Sequence, residues 1–258
     1  MPATDLPLLL DAVRAASPIA EHYFNADPAI WEKSGGAGPV TEADLAIDKQ
    51  LNTDLRAARP DYGWLSEETD DDPVRQNHDR VFIVDPIDGT RAFIAGQSNF
   101  AIAAAVAEQG RITAAVVHMP IKGVTYAAAE GQGATKNGEP MSISNREALS
   151  GAKVLASAPV FKPGNWVRMP KIERHFRTSL AYRMCLVAEG RFDAAVAMRR
   201  TWEWDMSAGD LIAREAGAIC TDSNGKIAEY NSVLGAQDGM VVANPKLHAE
   251  LISHRLGD

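Results

Sequence analysis

The stretch VFIVDPIDGTRAF, residues 81–93, joins a run of apolar residues to two closely spaced carboxylates. Residues 81–84 predict a buried strand, and Asp85 follows where that strand ends. An isolated charge is costly inside a protein, so Asp85 either lies at the exposed carboxyl edge of a sheet or pairs with a cation. Pro86 restricts the backbone on both sides and therefore holds Asp85 and Asp88 at a fixed spacing. Such rigid spacing suits a small cation with strict geometry.

The residues after this strand resemble the entry to a helix or turn. Free N–H groups at Asp88, Gly89 and Thr90 would bind phosphate oxygens without a basic side chain, and Arg91 adds a positive charge nearby. Simpler explanations exist for each feature, because aspartate often caps helices or satisfies turn N–H groups and arginine often pairs with a surface acid. The stretch alone leaves both interpretations open.

Composition narrows the class of protein. The 258 residues suffice for one large domain or two packed halves, and 46% of them are apolar. Acidic residues outnumber basic ones by 34 to 26, and this excess argues against general binding to nucleic acid polymers or anionic membranes. Cys185 and Cys220 stand among apolar residues, as expected of buried reduced thiols. With no signal-peptide pattern and no apolar window of about 18 residues, we expect a cytoplasmic protein.

The first half of the chain predicts two helices followed by a run of strands. Apolar spacing predicts a helix over residues 5–24, and a capping-box-like start at Thr41 predicts a second helix that ends before Pro60. Between them, SGGAGP at 34–39 predicts a flexible connection. Alanine, β-branched residues and turn signals over 98–129 predict consecutive strands.

The second half alternates strand and helix patterns, with helices that end at Gly190 and Gly217 and a further helix near the C-terminus. An α+β subdomain over residues 1–140 is therefore expected to precede an α/β subdomain over 141–258, the two packed as one globular unit.

Other acids also stand at predicted element ends. Glu67 and Glu68 end the strand WLSEE, residues 70–72 predict a solvated acidic loop, and Asp205 stands where a later helix begins. The simpler explanation for Asp205 is a helix N-cap. Taken jointly, four carboxylates at element ends, with hardly any histidine or cysteine near them, predict a site for a hard cation such as Mg²⁺.

A pair of Mg²⁺ ions would orient a phosphate, stabilise charge and lower the pKa of a bound water, which implies phosphate-ester hydrolysis. Other catalytic patterns are missing from the sequence. It has no G-x-S-x-G elbow, no P-loop and no H-x-x-x-H spacing among its six histidines, which argues against a serine hydrolase or a metalloprotease.

Four segments carry a resemblance to a known family. They are GPVTEADLAID (38–48), WLSEET (64–69), VDPIDGT (84–90) and WDMSAGDLIAREAGA (204–218). With these segments in this order, the chain resembles the inositol monophosphatase family of magnesium-dependent, lithium-sensitive phosphatases. The resemblance implies a layered αβαβα sandwich, two to three Mg²⁺ ions, inhibition by Li⁺, a small phosphorylated metabolite as substrate and a homodimer.

The resemblance also assigns roles to residues. Glu67, Asp85 and the carbonyl of Ile87 would hold the first ion, while Asp85, Asp88 and Asp205 would hold the second. Glu67 would reach a third ion through water. The residues expected to contact the substrate or its phosphate are Glu67, Ile87, Asp88, Gly89, Thr90, Arg91 and Asp205.

The expected catalytic residues are Glu67, Thr90 and Asp44. Thr90, hydrogen-bonded to Asp44, would orient or activate the attacking water. Lys33 matches a lysine near the active site of relatives, and the connection over 34–39 would act as a flap; the simpler interpretation is a flexible surface connector.

Substrate preference depends on departures from the family pattern. Where inositol monophosphatases show D-G-T-x-N-F, this chain has D-G-T-R-A-F, and Met198 stands where they have a glutamate that contacts inositol. A site for polyol hydroxyls needs such polar partners. The E-W-D element at 203–205 and the basic residue Arg91 after D-G-T resemble the branch of bacterial bisphosphate nucleotidases and so favour adenosine 3'(2'),5'-bisphosphate as substrate. The alternatives are inositol 1-phosphate, histidinol phosphate and, more remotely, a non-catalytic regulatory subunit that binds a phosphorylated metabolite.

Overall fold

The computed structural model describes residues 2–33, 35 and 38–255. The α-helices in this part of the chain are α1 (Pro2–Tyr23), α2 (Glu42–Ala58), α3 (Thr90–Ile94), α4 (Leu180–Ala188), α5 (Glu203–Glu215) and α6 (Pro245–His254). The strands are β1 (Ile30–Glu32), β2 (Pro39–Thr41), β3 (Gly63–Ser66), β4 (Arg80–Asp88), β5 (Ala101–Glu108), β6 (Arg111–Met119), β7 (Val124–Ala129), β8 (Ala134–Lys136), β9 (Glu139–Pro140), β10 (Lys153–Ala156), β11 (Glu173–His175), β12 (Ala194–Ala197), β13 (Thr201–Trp202), β14 (Ile219–Thr221), β15 (Ala236–Gln237) and β16 (Met240–Ala243). Short 3₁₀ helices span Pro73–Asn77, Pro120–Lys122, Ala158–Phe161 and Pro163–Asn165.

Two large sheets organise these elements. Within the described residues, the larger sheet has seven strands in the order β3-β4-β5-β6-β7-β8-β9, and the smaller has five in the order β11-β10-β12-β16-β14. Strand β3 runs parallel to β4, whereas the remaining neighbours in the larger sheet are antiparallel. The strands predicted over 98–129 correspond to β5, β6 and β7.

Alternation along β4 shows how the layers form. Phe82 and Val84 belong to an apolar cluster that also contains residues of α1 and α2. Val81 and Ile83 belong to a second cluster, which contains residues of α4 and α5. Successive side chains of a strand point to opposite faces, so this strand is buried on both sides. That double burial explains its uninterrupted apolar run.

The smaller sheet repeats this arrangement. One face joins α4 and α5 in the same central cluster, and the other face packs against α6. The layers therefore follow the order helix, sheet, helix, sheet, helix, which is the αβαβα sandwich expected from the sequence. Every residue of α4 is buried because this helix lies between the two sheets.

The central cluster draws side chains from both sheets, so the two predicted subdomains share a core. The position of a boundary near residue 140 stays a prediction. No helix in the described residues combines the length and the apolar character needed to cross a membrane.

Close contact between α4 and α5 in the middle layer depends on Gly209. A Cβ atom at this position would lie 2.8 Å from both Cβ and Sδ of Met184. Since Cβ is not the flexible end of Met184, a side chain at Gly209 would push the two helices apart.

We expect Gly209→Ala to lower the free energy of unfolding by about 1–2 kcal/mol, because overpacking outweighs the gain in helix propensity. Urea denaturation would measure this change. The control is Gly164→Ala, because a Cβ at Gly164 meets no atom within 4 Å. Equal stability of the two variants would contradict the proposed tight contact.

Candidate active site

Three carboxylates from separate elements meet at one edge of the larger sheet. Glu67 directly follows β3, Asp85 lies on the neighbouring parallel strand β4, and Asp205 is the third residue of α5. One carboxylate oxygen from each of the three lies within 4.8 Å of the other two. The pairing of β4 with β5 shifts register between Asp85 and Asp88, so β4 bends at this position.

Asp85 is the least satisfied member of this cluster. Its side chain is 1% exposed, and neither carboxylate oxygen has a hydrogen-bond partner among the described residues. Burial, followed by the charges of Glu67, Asp88 and Asp205, raises the pKa of Asp85 well above its usual range. An unpaired buried carboxylate is costly, and a divalent cation bound by oxygen ligands would remove that cost. The donor set therefore fits a hard metal ion.

Asp205 shares this electrostatic environment. Burial and the charges of Asp88 and Glu67 raise its pKa well above the usual value. Helix α5 begins at Glu203 with Trp202 as its N-cap, so Asp205 lies inside the first turn. The N-cap explanation for Asp205 is therefore wrong, because the N-cap residue is Trp202, three positions before Asp205.

Asp88 makes contacts that the sequence did not predict. It accepts hydrogen bonds from Ser179 Oγ (2.6 Å), Ala181 N–H (2.7 Å) and Leu180 N–H (3.1 Å), all at the beginning of α4. Burial raises the pKa of Asp88 to about 6, although these hydrogen bonds oppose the shift. Asp88 thus orients the middle-layer helix α4. It is not one of the three carboxylates in the compact cluster, and its role as a metal ligand stays a prediction.

Gly89 is the N-cap of the short helix α3 and has a left-handed backbone with φ of 103°. A Cβ there would lie 3.3 Å from the Asn99 carbonyl oxygen and 3.4 Å from Ser179 N. Both the backbone conformation and the lack of space require glycine at this turn.

Thr90 and Asp44 are brought together, as the family resemblance implies. Thr90 Oγ1 lies 3.2 Å from Asp44 Oδ1 and 3.1 Å from the carbonyl oxygen of Ile87. Asp44 also accepts hydrogen bonds from Thr41 N–H (2.9 Å) and Thr41 Oγ1 (2.5 Å) within a capping box. Burial raises the pKa of Asp44 to about 6. Asp44 is therefore both a helix cap and a partner of Thr90.

Lys33 forms ion pairs with both glutamates of the WLSEE segment. Its Nζ lies 2.8 Å from Glu67 Oε1 and 2.7 Å from Glu68 Oε1. Burial lowers the pKa of Lys33, but the two carboxylates outweigh this effect and raise it above 10.5. Burial also raises the pKa of Glu68 to about 7. Residues 34, 36 and 37 of the predicted flap lie outside the described residues.

Two arginines near the acids, Arg183 and Arg199, were not predicted from the sequence to lie at the site. Arg183 on α4 is 8% exposed, donates to the carbonyl oxygens of Arg177 and Thr178, and lies 4.7 Å from the centroid of the Phe176 ring. Burial lowers its pKa to about 10, against the opposing charges of Asp88 and Asp205. Arg199 is exposed, and its charge lowers the pKa of Asp205. Arg91, which the sequence did single out, is also exposed.

Met198 points away from the α5 side of the smaller sheet. It packs against the α6 cluster with Ala194 and Val196, and its sulfur lies 3.2 Å from Arg255 Nε. Ala197 faces the central cluster instead. Because side chains alternate along a strand, Ala197 faces the layer that carries Asp205. The end of β12 therefore presents a methyl group rather than a polar side chain to that layer.

Glu203, the first residue of E-W-D, is fully buried. Its carboxylate accepts hydrogen bonds from Asn231 N–H (2.6 Å), Ser232 N–H (3.0 Å) and Gln237 Nε2 (3.3 Å). Arg75 contacts the same loop through the Asn231 side chain and the Ser232 carbonyl oxygen. The Glu203 carboxylate thus holds this loop. The hydrogen-bonding oxygens of Glu203 are turned towards that loop, and the substrate preference drawn from the E-W-D element stays a prediction.

Comparisons with known proteins agree with the fold and the motifs. A sequence model described as the inositol monophosphatase family matches residues 4–257. A fructose-1,6-bisphosphatase/inositol-1-monophosphatase from Thermotoga maritima is 34% identical over 226 residues, covering 86% of this chain and 84% of that protein. The 3'(2'),5'-bisphosphate nucleotidase CysQ from Salmonella typhimurium is 34% identical over 225 residues, covering 85% of this chain and 90% of that protein.

Among solved structures, the extragenic suppressor protein suhB from Bartonella henselae superposes with a TM-score of 0.82 at 25% identity. The superposition covers 97% of both chains. This likeness confirms the layered fold.

The orphaned carboxylate of Asp85 leads to a test of the metal site. Without metal, Asp85→Asn should raise the midpoint of thermal unfolding or leave it unchanged, because the substitution removes a buried, repelled charge. Mg²⁺ should raise the midpoint of the unsubstituted protein but not that of the variant. Thermal unfolding in EDTA and across a Mg²⁺ titration would measure both effects. A full Mg²⁺ response in Asp85→Asn would contradict the assignment.

Proposed function

Given that this chain belongs to the inositol monophosphatase family and is a metal-dependent phosphatase, we propose that it is a Mg²⁺-dependent phosphomonoesterase whose preferred substrate is adenosine 3'(2'),5'-bisphosphate. The chemistry rests on one observation: Glu67 and Asp205 lie next to Asp85, and the Asp85 carboxylate has no hydrogen-bond partner among the described residues. The choice of Mg²⁺ rests on a donor set made only of oxygen atoms.

In this proposal Glu67, Asp85 and Asp205 hold the metal, with Asp88 and the Ile87 carbonyl as further ligands. Bound Mg²⁺ supplies positive charge that neutralises phosphate oxygens and favours ionisation of water. The turn at Asp88, Gly89 and Thr90 receives the phosphate. It suits an anion because the first N–H groups of a helix have no acceptor within that helix.

Thr90 and Asp44 orient the attacking water. When the Thr90 hydroxyl donates to Asp44 Oδ1, its oxygen still has lone pairs that can accept a proton from the water. As the water oxygen attacks phosphorus, this proton passes to Thr90 and the Thr90 proton passes to Asp44. The ester oxygen leaves and takes a proton from solvent. A raised pKa makes Asp44 a better proton acceptor than an ordinary aspartate.

The substrate preference rests on groups around the acids. Arg199 is exposed, and its charge acts on Asp205, so it can meet a second phosphate group that projects from the metal cluster. Phe176 is 45% exposed and lies under Arg183, a surface on which a nucleobase can stack. Ala197 offers no hydrogen bond to an inositol hydroxyl. These features together favour a bisphosphorylated nucleoside.

Inositol 1-phosphate is the second candidate, since the Thermotoga maritima relative carries that activity in its name. Histidinol phosphate stays an alternative, and the non-catalytic regulatory role is the least favoured because every residue expected to bind metal or to act in catalysis is present. The homodimer and the cytoplasmic location stay predictions.

Phosphate release should require Mg²⁺, stop in excess EDTA and fall when Li⁺ is added. Asp85→Asn should lower kcat/KM by more than about 100-fold, since even the outer partners of metal ligands contribute about 10- to 100-fold. A malachite-green phosphate assay would measure these effects. Full turnover in EDTA would contradict the proposed metal dependence.

A substrate panel separates the candidates. We expect kcat/KM to be highest for adenosine 3',5'-bisphosphate among that compound, inositol 1-phosphate and histidinol phosphate. A preference of more than about tenfold for the inositol ester, equal to about 1.4 kcal/mol, would overturn the substrate choice.

The role of Arg199 has its own test. Loss of one charge-assisted hydrogen bond costs about 1.5–3 kcal/mol, so Arg199→Met should lower kcat/KM for adenosine 3',5'-bisphosphate by about 10- to 100-fold. Activity on adenosine 3'-monophosphate should change much less because that ester lacks the second phosphate. Arg168→Met replaces another exposed arginine and serves as the control. Equal losses on both esters would show that Arg199 does not read the second phosphate.

A further inference from the structure

We propose that Asp48 is a positioning residue that holds Glu67 at the metal cluster by binding the hydroxyl groups on either side of the Glu67–Glu68 pair. The inference concerns the same site and rests on the proposed metal-dependent function. Asp48 does not belong to the metal cluster and would act only through the segment that carries Glu67.

Asp48 binds both ends of that short segment. Its Oδ1 accepts a hydrogen bond from Ser66 Oγ at 2.5 Å, and its Oδ2 accepts one from Thr69 Oγ1 at 2.7 Å. Ser66 immediately precedes Glu67, and Thr69 immediately follows Glu68. Asp48 is 8% exposed, so water competes little for its two oxygens. One carboxylate therefore fixes both ends of a four-residue stretch, 66–69.

Glu67 needs such support because β3 ends at Ser66. Beyond that point Glu67 N–H reaches the Val84 carbonyl oxygen at 3.3 Å, a long hydrogen bond. One carboxylate oxygen of Glu67, Oε1, also forms an ion pair with the Lys33 ammonium. A glutamate has three side-chain torsions and loses conformational entropy on binding a metal, and a backbone that is already fixed reduces the total cost.

Helix α2 links this support to the catalytic water. Asp44 and Asp48 are four residues apart on α2, so they lie on the same face. Asp44 is bound to Thr90, and Asp48 is bound to the segment that carries Glu67. A rigid helix therefore sets the spacing between the residue expected to orient water and a residue expected to bind metal.

The decisive variants are at Thr69, because they leave the charge unchanged and alter only the contacts of its hydroxyl, which donates to Asp48 Oδ2 and accepts a long hydrogen bond from Trp64 Nε1 at 3.3 Å. Thr69→Val keeps the shape of the side chain and removes the hydroxyl, whereas Thr69→Ser keeps the hydroxyl. The measurement is the rise in the thermal midpoint across a Mg²⁺ titration without substrate. A net hydrogen bond is worth about 1 kcal/mol, so Thr69→Val should raise the half-maximal Mg²⁺ concentration about fivefold, and Thr69→Ser should match the unsubstituted protein.

Asp48→Ala should raise the half-maximal Mg²⁺ concentration further, by about 10- to 100-fold, the range found for outer partners of metal ligands. Adding Thr69→Val to Asp48→Ala should raise the half-maximal Mg²⁺ concentration little further, because Asp48→Ala already removes the hydrogen bond between Thr69 and Asp48. Asp54→Asn is the matched control, since Asp54 lies on the same helix and bonds Gln50 rather than the 66–69 segment. At saturating Mg²⁺, kcat of Thr69→Val should recover to near the unsubstituted value.

A purely structural role gives a different pattern. If Thr69→Val lowers the midpoint in EDTA but leaves the half-maximal Mg²⁺ concentration unchanged, the inference is overturned. A shift in Thr69→Ser as large as that in Thr69→Val overturns it too. If the unsubstituted protein shows no Mg²⁺-dependent rise and releases no phosphate, the proposed function fails as well, so the two failures are distinguishable.

Discussion

A carboxylate buried without a hydrogen-bond partner, at Asp85, is the constraint around which this molecule is arranged. Glu67 and Asp205 add like charge to the same small volume, and the charge of each raises the pKa of Asp85. Such a cluster would relax if its backbone could move. It persists because β4 is buried on both faces and α5 is held between two sheets. A bound cation would remove the electrostatic repulsion among these carboxylates, so this repulsion contributes to the affinity of the site for a cation.

The acids in and around this cluster make hydrogen bonds to several different parts of the fold. Helix α2 contributes Asp44 and Asp48, which bind hydroxyl groups next to the cluster. Asp88 instead accepts N–H and O–H groups from the start of α4. These contacts join the outer helical layer, the larger sheet and the middle layer at a single edge. Packing between α4 and α5, which requires Gly209, therefore bears directly on the site.

The side chains around the carboxylate cluster are of two kinds: some are buried and hold loops of the protein, and others are exposed to solvent. Glu203 is engaged with the loop at 231–232 and has no exposed surface. Arg199, whose charge acts on Asp205, and Phe176, which lies against Arg183, are both exposed. A motif such as E-W-D cannot separate these two classes, because a buried brace and a ligand contact use the same residue type. Exposure and hydrogen-bond partners make the distinction, and they favour the arginine and the aromatic ring as the surfaces that meet substrate.

The sequence by itself determined an α+β half followed by an α/β half and the acids of D-P-I-D-G-T, because strand and helix periodicity, proline and glycine act over a few residues. The layered sandwich was implied by the family resemblance. Tertiary structure alone decided which acids meet. Glu67 meets Asp85 because β3 pairs with β4, Asp205 reaches them on helix α5, and Asp88 binds the start of α4. It also decided that Ala197, not Met198, faces the α5 layer, since one step along a strand reverses the face. Contacts between distant segments depend on how the layers pack, and no local pattern encodes that packing.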